Sequence, residues 1–194
     1  MTEKEIIKIF KSEKALLTGH FLLSSGLHSP HYMQCALLLQ KPWFAEKLCK
    51  ALAKKLGGIK VDVVIGPALG GVLVSYEMGR ALKARSIFAE RMDGTLVLRR
   101  GFSLKKKEKV LVVEDVVTTG KSTQEVIKIV KQQDAKLVAV ASIVDRSGGS
   151  AIFEVDLFSL LKIDIKTYRP EICPLCRDRR IPVMKPGSRM IKTF

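Results

Sequence analysis

Aromatic residues are scarce in this chain, at 6%, and so are histidines, with three, and cysteines, with four. Few rings argue against a single-strand nucleic-acid surface built on stacked bases. Cys35, Cys49, Cys173 and Cys176 are too few and too scattered for a disulfide framework in a chain of this size. The most apolar stretch, VVIGPALGGVLVSYEMG, is broken by Pro67 and by glycines, and it falls short of the ~20 residues that span a bilayer. The opening MTEKEIIKIFKSEK lacks the uninterrupted apolar core of a signal peptide and reads as an amphipathic helix. A soluble, cytoplasmic protein is expected, with no membrane partner. Acids are scarce as well: 19 Asp and Glu face 34 Lys and Arg, a formal net charge of +15. Such an excess suits anions, from nucleic acid to small polyphosphates. The bases are scattered, with local clusters at Arg99 to Arg100, Lys105 to Lys107 and Arg177 to Arg180, so nucleic acid is not the expected partner.

What is present is a globular composition, 47% hydrophobic and 27% charged over 194 residues, enough for one α/β domain with a proper core. The helical spacing of Ile6, Ile7, Phe10, Leu16 and Leu17 predicts an N-terminal helix that stops near Gly19. KPWFAEKLCKALAKKLGG carries both helix-end signals, Pro42 in the first turn and Gly57 and Gly58 beyond the last. VDVVIG reads as a strand, GGVLVSYEMGRALKA as a helix, and SIFAER and TLVLRR as strands joined by the hairpin pair Asp93 and Gly94. KVLVVED is a further strand, followed by a helix from about Ser122 to Gln132, and then by the strand KLVAVASIVDR. This alternation predicts a doubly wound, mostly parallel sheet with helices on both faces. Ligands bind such sheets beyond the carboxyl ends of the strands, here near Gly66, Asp115 and Arg146.

The stretch VLVVEDVVTTGKSTQEV, Val110 to Val126, carries the most chemistry. Thr118, Thr119, Gly120, Lys121 and Ser122 fall where a strand yields to a helix, so unpaired backbone N–H groups favour an anion and the hydroxyls add short donors. A nucleoside triphosphate loop would need a glycine where Asp115 stands, and an acid there would repel its ligand. Glu114 and Asp115 suit vicinal ribose hydroxyls instead, with a phosphate held in the following turn. The plain alternative is that Asp115 caps the turn and Glu114 meets a lysine.

Four apolar residues, two acids, two further apolar residues and a Thr/Gly-rich turn resemble the phosphoribosyl pyrophosphate (PRPP) signature of the type I phosphoribosyltransferases. The resemblance implies that Glu114 and Asp115 bind ribose hydroxyls and that Val116, Val117 and Thr118 to Ser122 enclose the 5-phosphate. Three other stretches are similar to the orotate phosphoribosyltransferases and extend the likeness over most of the chain. FLLSSGLHSPHYMQCALLL is similar to the segment that meets the pyrimidine, near His31, Tyr32 and Met33. IGPALGG is similar to the pyrophosphate loop, centred on Ala68 and Leu69. SIVDRSGG implies Arg146 as the holder of the orotate carboxylate, in the bidentate geometry a guanidinium favours, with Thr118 on the same base. The plain reading of Arg146 is a salt bridge to Asp145. The implied reaction joins orotate to the phosphoribosyl group of PRPP, giving orotidine monophosphate, with Mg2+ entering through PRPP and no protein-bound metal. Asp115 and Arg91 are the catalytic residues so implied, and a two-fold homodimer is expected.

Departures from that family accompany the likeness. Ser24 and Gly70 stand where many members have lysine, and a long loop bearing lysines and a histidine shrinks to MDGT. Arg91, Arg99, Arg100 or Lys105 to Lys107 are the candidates to supply the missing cations. The rivals are a purine or uracil transferase and a PRPP-sensing nucleic-acid-binding regulator of the same fold. The expected layout is a single domain over 1–194, with a hood at 1–40, a core at 41–168 and an extension at 169–194 that includes CPLC. Cys173 and Cys176 make half of a zinc-ribbon pattern. Two chains could pool such pairs across a symmetry axis, but a turn with free thiols is the default. His20, His28 and His31 have no evident base partner and are expected to be ordinary satisfied histidines.

Overall fold

Helix and strand periods segregate early in this chain. In the computed structural model, which describes residues 1–23 and 25–186, α1 (Glu3–Ser12) opens on a capping box. Thr2 Oγ1 accepts from Glu5 N at 3.3 Å, and Glu5 Oε2 accepts from Thr2 N at 2.7 Å. Ile6 and Phe10 form its buried stripe. The helix ends earlier than the apolar spacing predicts: Lys14 turns left-handed at φ +54°, and Ala15 N reaches back to Phe10 O. Leu16 and Leu17 belong to a strand instead, β1 (Leu16–Leu22), paired antiparallel with β2 (His28–Met33) through Leu16 to Met33 and Leu17 to Tyr32. Cross-strand pairing overrides the helical spacing there. Ser24, one of the departures above, and positions 187–194 of the extension lie outside the described residues.

After the short α2 (Ala36–Leu39), α3 (Pro42–Lys55) starts on proline and leads into β3 (Val63–Pro67), α4 (Gly70–Leu82) and β4 (Arg85–Met92). Asp93 and Gly94 both adopt positive φ, 49° and 84°, as a two-residue hairpin requires, and β5 (Thr95–Leu98) returns antiparallel to β4. β6 (Lys109–Val117), α5 (Lys121–Gln132), β7 (Lys136–Asp145) and β8 (Leu157–Lys162) follow. The six-stranded order is β5-β4-β3-β6-β7-β8, parallel except for β5. β8 is an edge strand that the alternation above does not predict. The stretch before it, SGGSAIFEVD, is rich in turn residues, and β8 has a single neighbour, so its local signal is weak.

Because strand side chains alternate between faces, β6 feeds two cores. Leu111 and Val113 join α1, α3 and α4 on one side, while Val110 and Val112 join Val126, Ile127 and Val130 of α5 on the other. The chain leaves β3 toward β4 and leaves β6 toward β7, in opposite directions across the sheet. The crevice between β3 and β6 is therefore the switch point at which such sheets bind ligands. Observed strand ends are Pro67, Val117 and Asp145. β6 runs two residues beyond Asp115 because Val116 and Val117 stay paired with Val144 and Asp145. Among the described residues no helix is long and apolar enough to cross a membrane.

Candidate active site

The acid pair ends the central strand. Glu114 is buried, and burial, reinforced by the neighbouring Asp115 carboxylate, pushes its pKa up to about 9. Glu114 therefore keeps its proton at neutral pH. Among the described residues no lysine or arginine pairs with either acid, so the plain reading of a Glu114–lysine contact is not realised.

Beyond Asp115 the chain builds the expected anion cradle. Gly120 caps α5 at φ +75°, with Phe153 and Ala151 packed where a Cβ would stand, at 3.1 and 3.2 Å. The first intrahelical bond runs from Gln124 N to Gly120 O, which leaves the amides of Lys121 to Thr123 outside the helix ladder. No acid occupies the first turn to offset the positive helix end. A hollow of ≈ 60 Å³ is lined by Glu114 and the unbroken run Val116 to Thr123, a volume suited to one phosphate group rather than a whole sugar phosphate. A wider hollow, ≈ 420 Å³, lies on the α3 and β8 flank among Lys47, Lys50, Lys54 and Lys55. It contains none of the strand-end residues, and the chemistry points to the smaller one.

The loop after β3 meets this cradle directly. A Cβ on Gly70 would stand 2.5 Å from Asp115 Oδ1, so the loop that carries Ala68 and Leu69 lies beside the acid pair. The peptide between Ala68 and Leu69 is cis, and Leu69 is exposed.

Arg146 follows β7, its backbone N donating to Val117 O at 2.8 Å. Its guanidinium is half-buried, and lost hydration lowers its pKa, with Tyr32 and Cys35 as neighbours acting the other way. The salt bridge to Asp145 is not made: Asp145 Oδ1 accepts from Ser147 N and Oγ at 2.9 and 2.6 Å. Among the described residues Arg146 has no carboxylate partner. Tyr32, from β2, leans on Phe21 with ring centroids 5.8 Å apart.

Cys35 also lies beside these groups. Burial, with Asp115 as the next cause, drives its thiol well above the ordinary range, and Arg146 and Glu114 also act on it. It lies within the electrostatic reach of all three, and nothing in the apolar run MQCALLL distinguishes it from core.

The candidate cations scatter. Arg91 Nη1 lies 3.1 Å from Glu125 Oε2 on α5, off the hydrogen-bonding direction, so the pair is Coulombic; the same nitrogen donates to Gly94 O. Arg100 pairs with Glu90 and lies 6.0 Å from the Phe88 ring centre, and Arg99 is 4.0 Å from Glu90. Lys105 to Lys107 precede β6, and Lys107 N donates to Asp134 O just before β7. That is the amino edge of the sheet, opposite the acid pair, so this run is not a candidate for the site.

The phosphoribosyl transferase domain family matches residues 38–164. An orotate phosphoribosyltransferase of Carboxydothermus hydrogenoformans is 56% identical over 187 residues, 95% of this chain and 97% of that one. Its counterpart in Caldicellulosiruptor saccharolyticus is 55% identical over 192 residues, 99% and 100% of the two chains. The crystal structure of the orotate phosphoribosyltransferase from Aeropyrum pernix superposes with a TM-score of 0.70 at 28% identity, over 81% of this chain and 93% of that one. An acid pair at a strand end, an open helix start and an unpaired arginine at one switch point, in a chain related end to end to such proteins, place this chain in the orotate phosphoribosyltransferase family.

Proposed function

We propose that this chain transfers the phosphoribosyl group of PRPP to a ring nitrogen of orotate, releasing pyrophosphate and forming orotidine 5′-monophosphate for pyrimidine synthesis. The observation that carries the reading is the convergence on one crevice of an anion cradle, an unpaired acid pair and a half-buried arginine without a carboxylate partner.

In this reading the amides and hydroxyls of Thr118 to Ser122 hold the 5-phosphate, with Val116 and Val117 shaping the wall. Asp115 and Glu114 accept hydrogen bonds from the ribose hydroxyls. The Ala68–Leu69 turn takes the pyrophosphate. Arg146 grips the orotate carboxylate through two parallel N–H donors, while Tyr32 and Thr118 flank the base. Anchoring both reactants leaves the ring nitrogen facing the anomeric carbon, which converts a bimolecular encounter into a positioned displacement. The transition state resembles an oxocarbenium ion, so the protein needs fixed negative groups near the sugar and cations at the leaving group, and no nucleophile of its own. Arg91 stands beyond the strand ends and would exchange Glu125 for the departing pyrophosphate.

Asp115, and Glu114 once the charge of an arriving cation draws off its proton, suit a substrate that brings its own divalent cation. Glu114 and Asp115 would hold Mg2+ through the ribose hydroxyls rather than as a dedicated cage, and that ion would neutralise charge growing on pyrophosphate. A two-fold dimer, with a neighbour adding cations over the short MDGT turn, belongs to the same proposal, as does a cytoplasmic setting, where buried free thiols such as Cys35 and Cys49 stay reduced. Residues 1–40 act as the hood and 169–194 as an extension of the one transferase domain.

The test is the absorbance change of orotate on adding PRPP and Mg2+, with uracil and purine bases in parallel. Magnesium-dependent loss of orotate, strongly slowed by Asp115→Asn, is expected. Turnover of a purine or uracil in its place would overturn the assignment of Arg146.

A further inference from the structure

Two sulfurs and two imidazoles meet outside the lining of the crevice. His20 of β1, His28 of β2, and Cys173 and Cys176, which flank the first turn of α6 (Pro174–Asp178), each offer one ligand atom, and all four atoms lie within 4.8 Å of one another. The histidines and cysteines are separated by about 150 positions in sequence, 153 between His20 and Cys173. We propose that these four residues form a Cys2His2 site for a zinc ion, which ties the C-terminal extension to the β1–β2 hairpin.

Hydrogen bonding alone does not account for the cluster. His20 Nε2 is approached by His28 Nδ1 at 2.8 Å and by both sulfurs at 3.6 Å, and Cys176 Sγ also lies 3.2 Å from His28 Nδ1. An imidazole nitrogen has one in-plane lone pair or one N–H, so three polar neighbours cannot all be satisfied there. One central cation satisfies them together. Tetrahedral zinc with bonds of ~2.3 Å to sulfur and ~2.0–2.1 Å to nitrogen separates N from S by about 3.6 Å and N from N by about 3.3 Å. Three of the observed spacings fit within a few tenths of an ångström, and binding would widen the two imidazoles by about half an ångström.

The surroundings are those of a closed structural site. His20, His28 and Cys173 are buried and Cys176 is partly so. His20 Nδ1 lies 3.2 Å from Ile181 O, a carbonyl that can only accept, so Nδ1 carries the proton and Nε2 turns its lone pair to the cluster. Two thiolates and two imidazoles select zinc over magnesium or calcium, which prefer oxygen, and the two thiolates neutralise the ion. The histidines also supply, within one chain, the second ligand pair that the CPLC motif lacks.

The site would have a structural task. Met184 brackets β1, with Met184 N donating to His20 O and Leu22 N to Met184 O, both at 2.8 Å. Tyr168 and His28 exchange N–H···O bonds at 2.8 Å. A metal at the centre would lock this small assembly, whose own apolar core is slight, by closing a very long loop. β2 continues from His28 into His31 and Tyr32, so the clamp also steadies the strand that reaches the base.

The experiment is zinc analysis of the full chain purified under reducing conditions without chelator, followed by replacement with cobalt. One zinc per chain is expected, with cobalt giving the visible ligand-field bands of a tetrahedral ion and thiolate charge transfer in the near ultraviolet. Cys176→Ser and His28→Ala should lose the metal and melt several degrees lower, whereas Cys49→Ser, in the α3 core, should keep it. A zinc-free protein that cobalt leaves colourless would overturn the proposal. So would a Cys173–Cys176 disulfide, or one zinc per two chains retained by His28→Ala. Should the variants fail to fold, the cobalt spectrum and stoichiometry of the unaltered chain still decide.

Discussion

Glu114 is a carboxyl group held in a buried strand beside a second acid. Its folded pKa of about 9 stands above the ordinary 4.5, so the folded chain holds a proton that the unfolded chain has released over that window. Stability contributed by this group is full below pH 4.5 and is lost as pH rises through about 9. Glu114→Gln, which cannot ionise, should therefore melt increasingly above the unaltered protein as pH is raised across that window, a comparison that thermal melts at several pH values provide. Arg146→Ala removes charged hydrogen bonds worth about 1.5–3 kcal/mol. The KM for orotate should rise roughly 10- to 100-fold with a smaller change in that for PRPP, and Arg146→Lys should not restore it, because an ammonium lacks the planar fork. Asp115→Asn should lower kcat about 10²-fold or more, by analogy with removing one preorganised polar group at a reacting centre.

The element with the most function per residue is the strand–turn–helix unit of β6 and α5. Its turn depends on Gly120, where positive φ and the packed Phe153 ring together exclude a side chain. Gly120→Ala should cost about 1–2 kcal/mol from the left-handed backbone alone, visible in urea unfolding, and, with the 5-phosphate held as proposed, should raise the KM for PRPP by displacing the amides of the turn. The β4–β5 hairpin acts as the opposite support: its short turn holds Arg91 against Glu125 of α5. Glu125→Gln should free that guanidinium and alter kcat more than the KM for orotate, as steady-state kinetics with both substrates varied would show.

Across the whole molecule, the +15 net charge favours the approach of polyphosphate anions. Field effects of this kind are screened beyond a Debye length of about 10 Å at 0.1 M salt. The kcat/KM for PRPP should fall several-fold between low and high ionic strength while kcat changes little, since long-range attraction governs encounter rather than the chemical step. A kcat/KM indifferent to salt would mean that the surface charge does not guide the substrate.

Much of this protein is readable along the chain because its signals are local. The continuous apolar run Val110 to Val113 set a buried strand, the Asp93 and Gly94 pair set the hairpin, and the contiguous run Glu114 to Ser122 set the cradle, since neighbouring residues suffice for each. Other elements depended on distant partners. Leu16 and Leu17 carry helical spacing yet form a strand, because β2 supplies their hydrogen bonds, and β8 exists as an edge because β7 does. Cys35 looks like core until folding sets it within reach of Asp115 and Arg146. The sequence by itself determined the strand–turn–helix chemistry of the site. Only the tertiary structure decided that Arg146 lacks an acid partner, that Lys105 to Lys107 face the wrong edge, and that His20 and His28 meet Cys173 and Cys176, because contacts between separate elements are made by packing and leave no periodic trace in the chain.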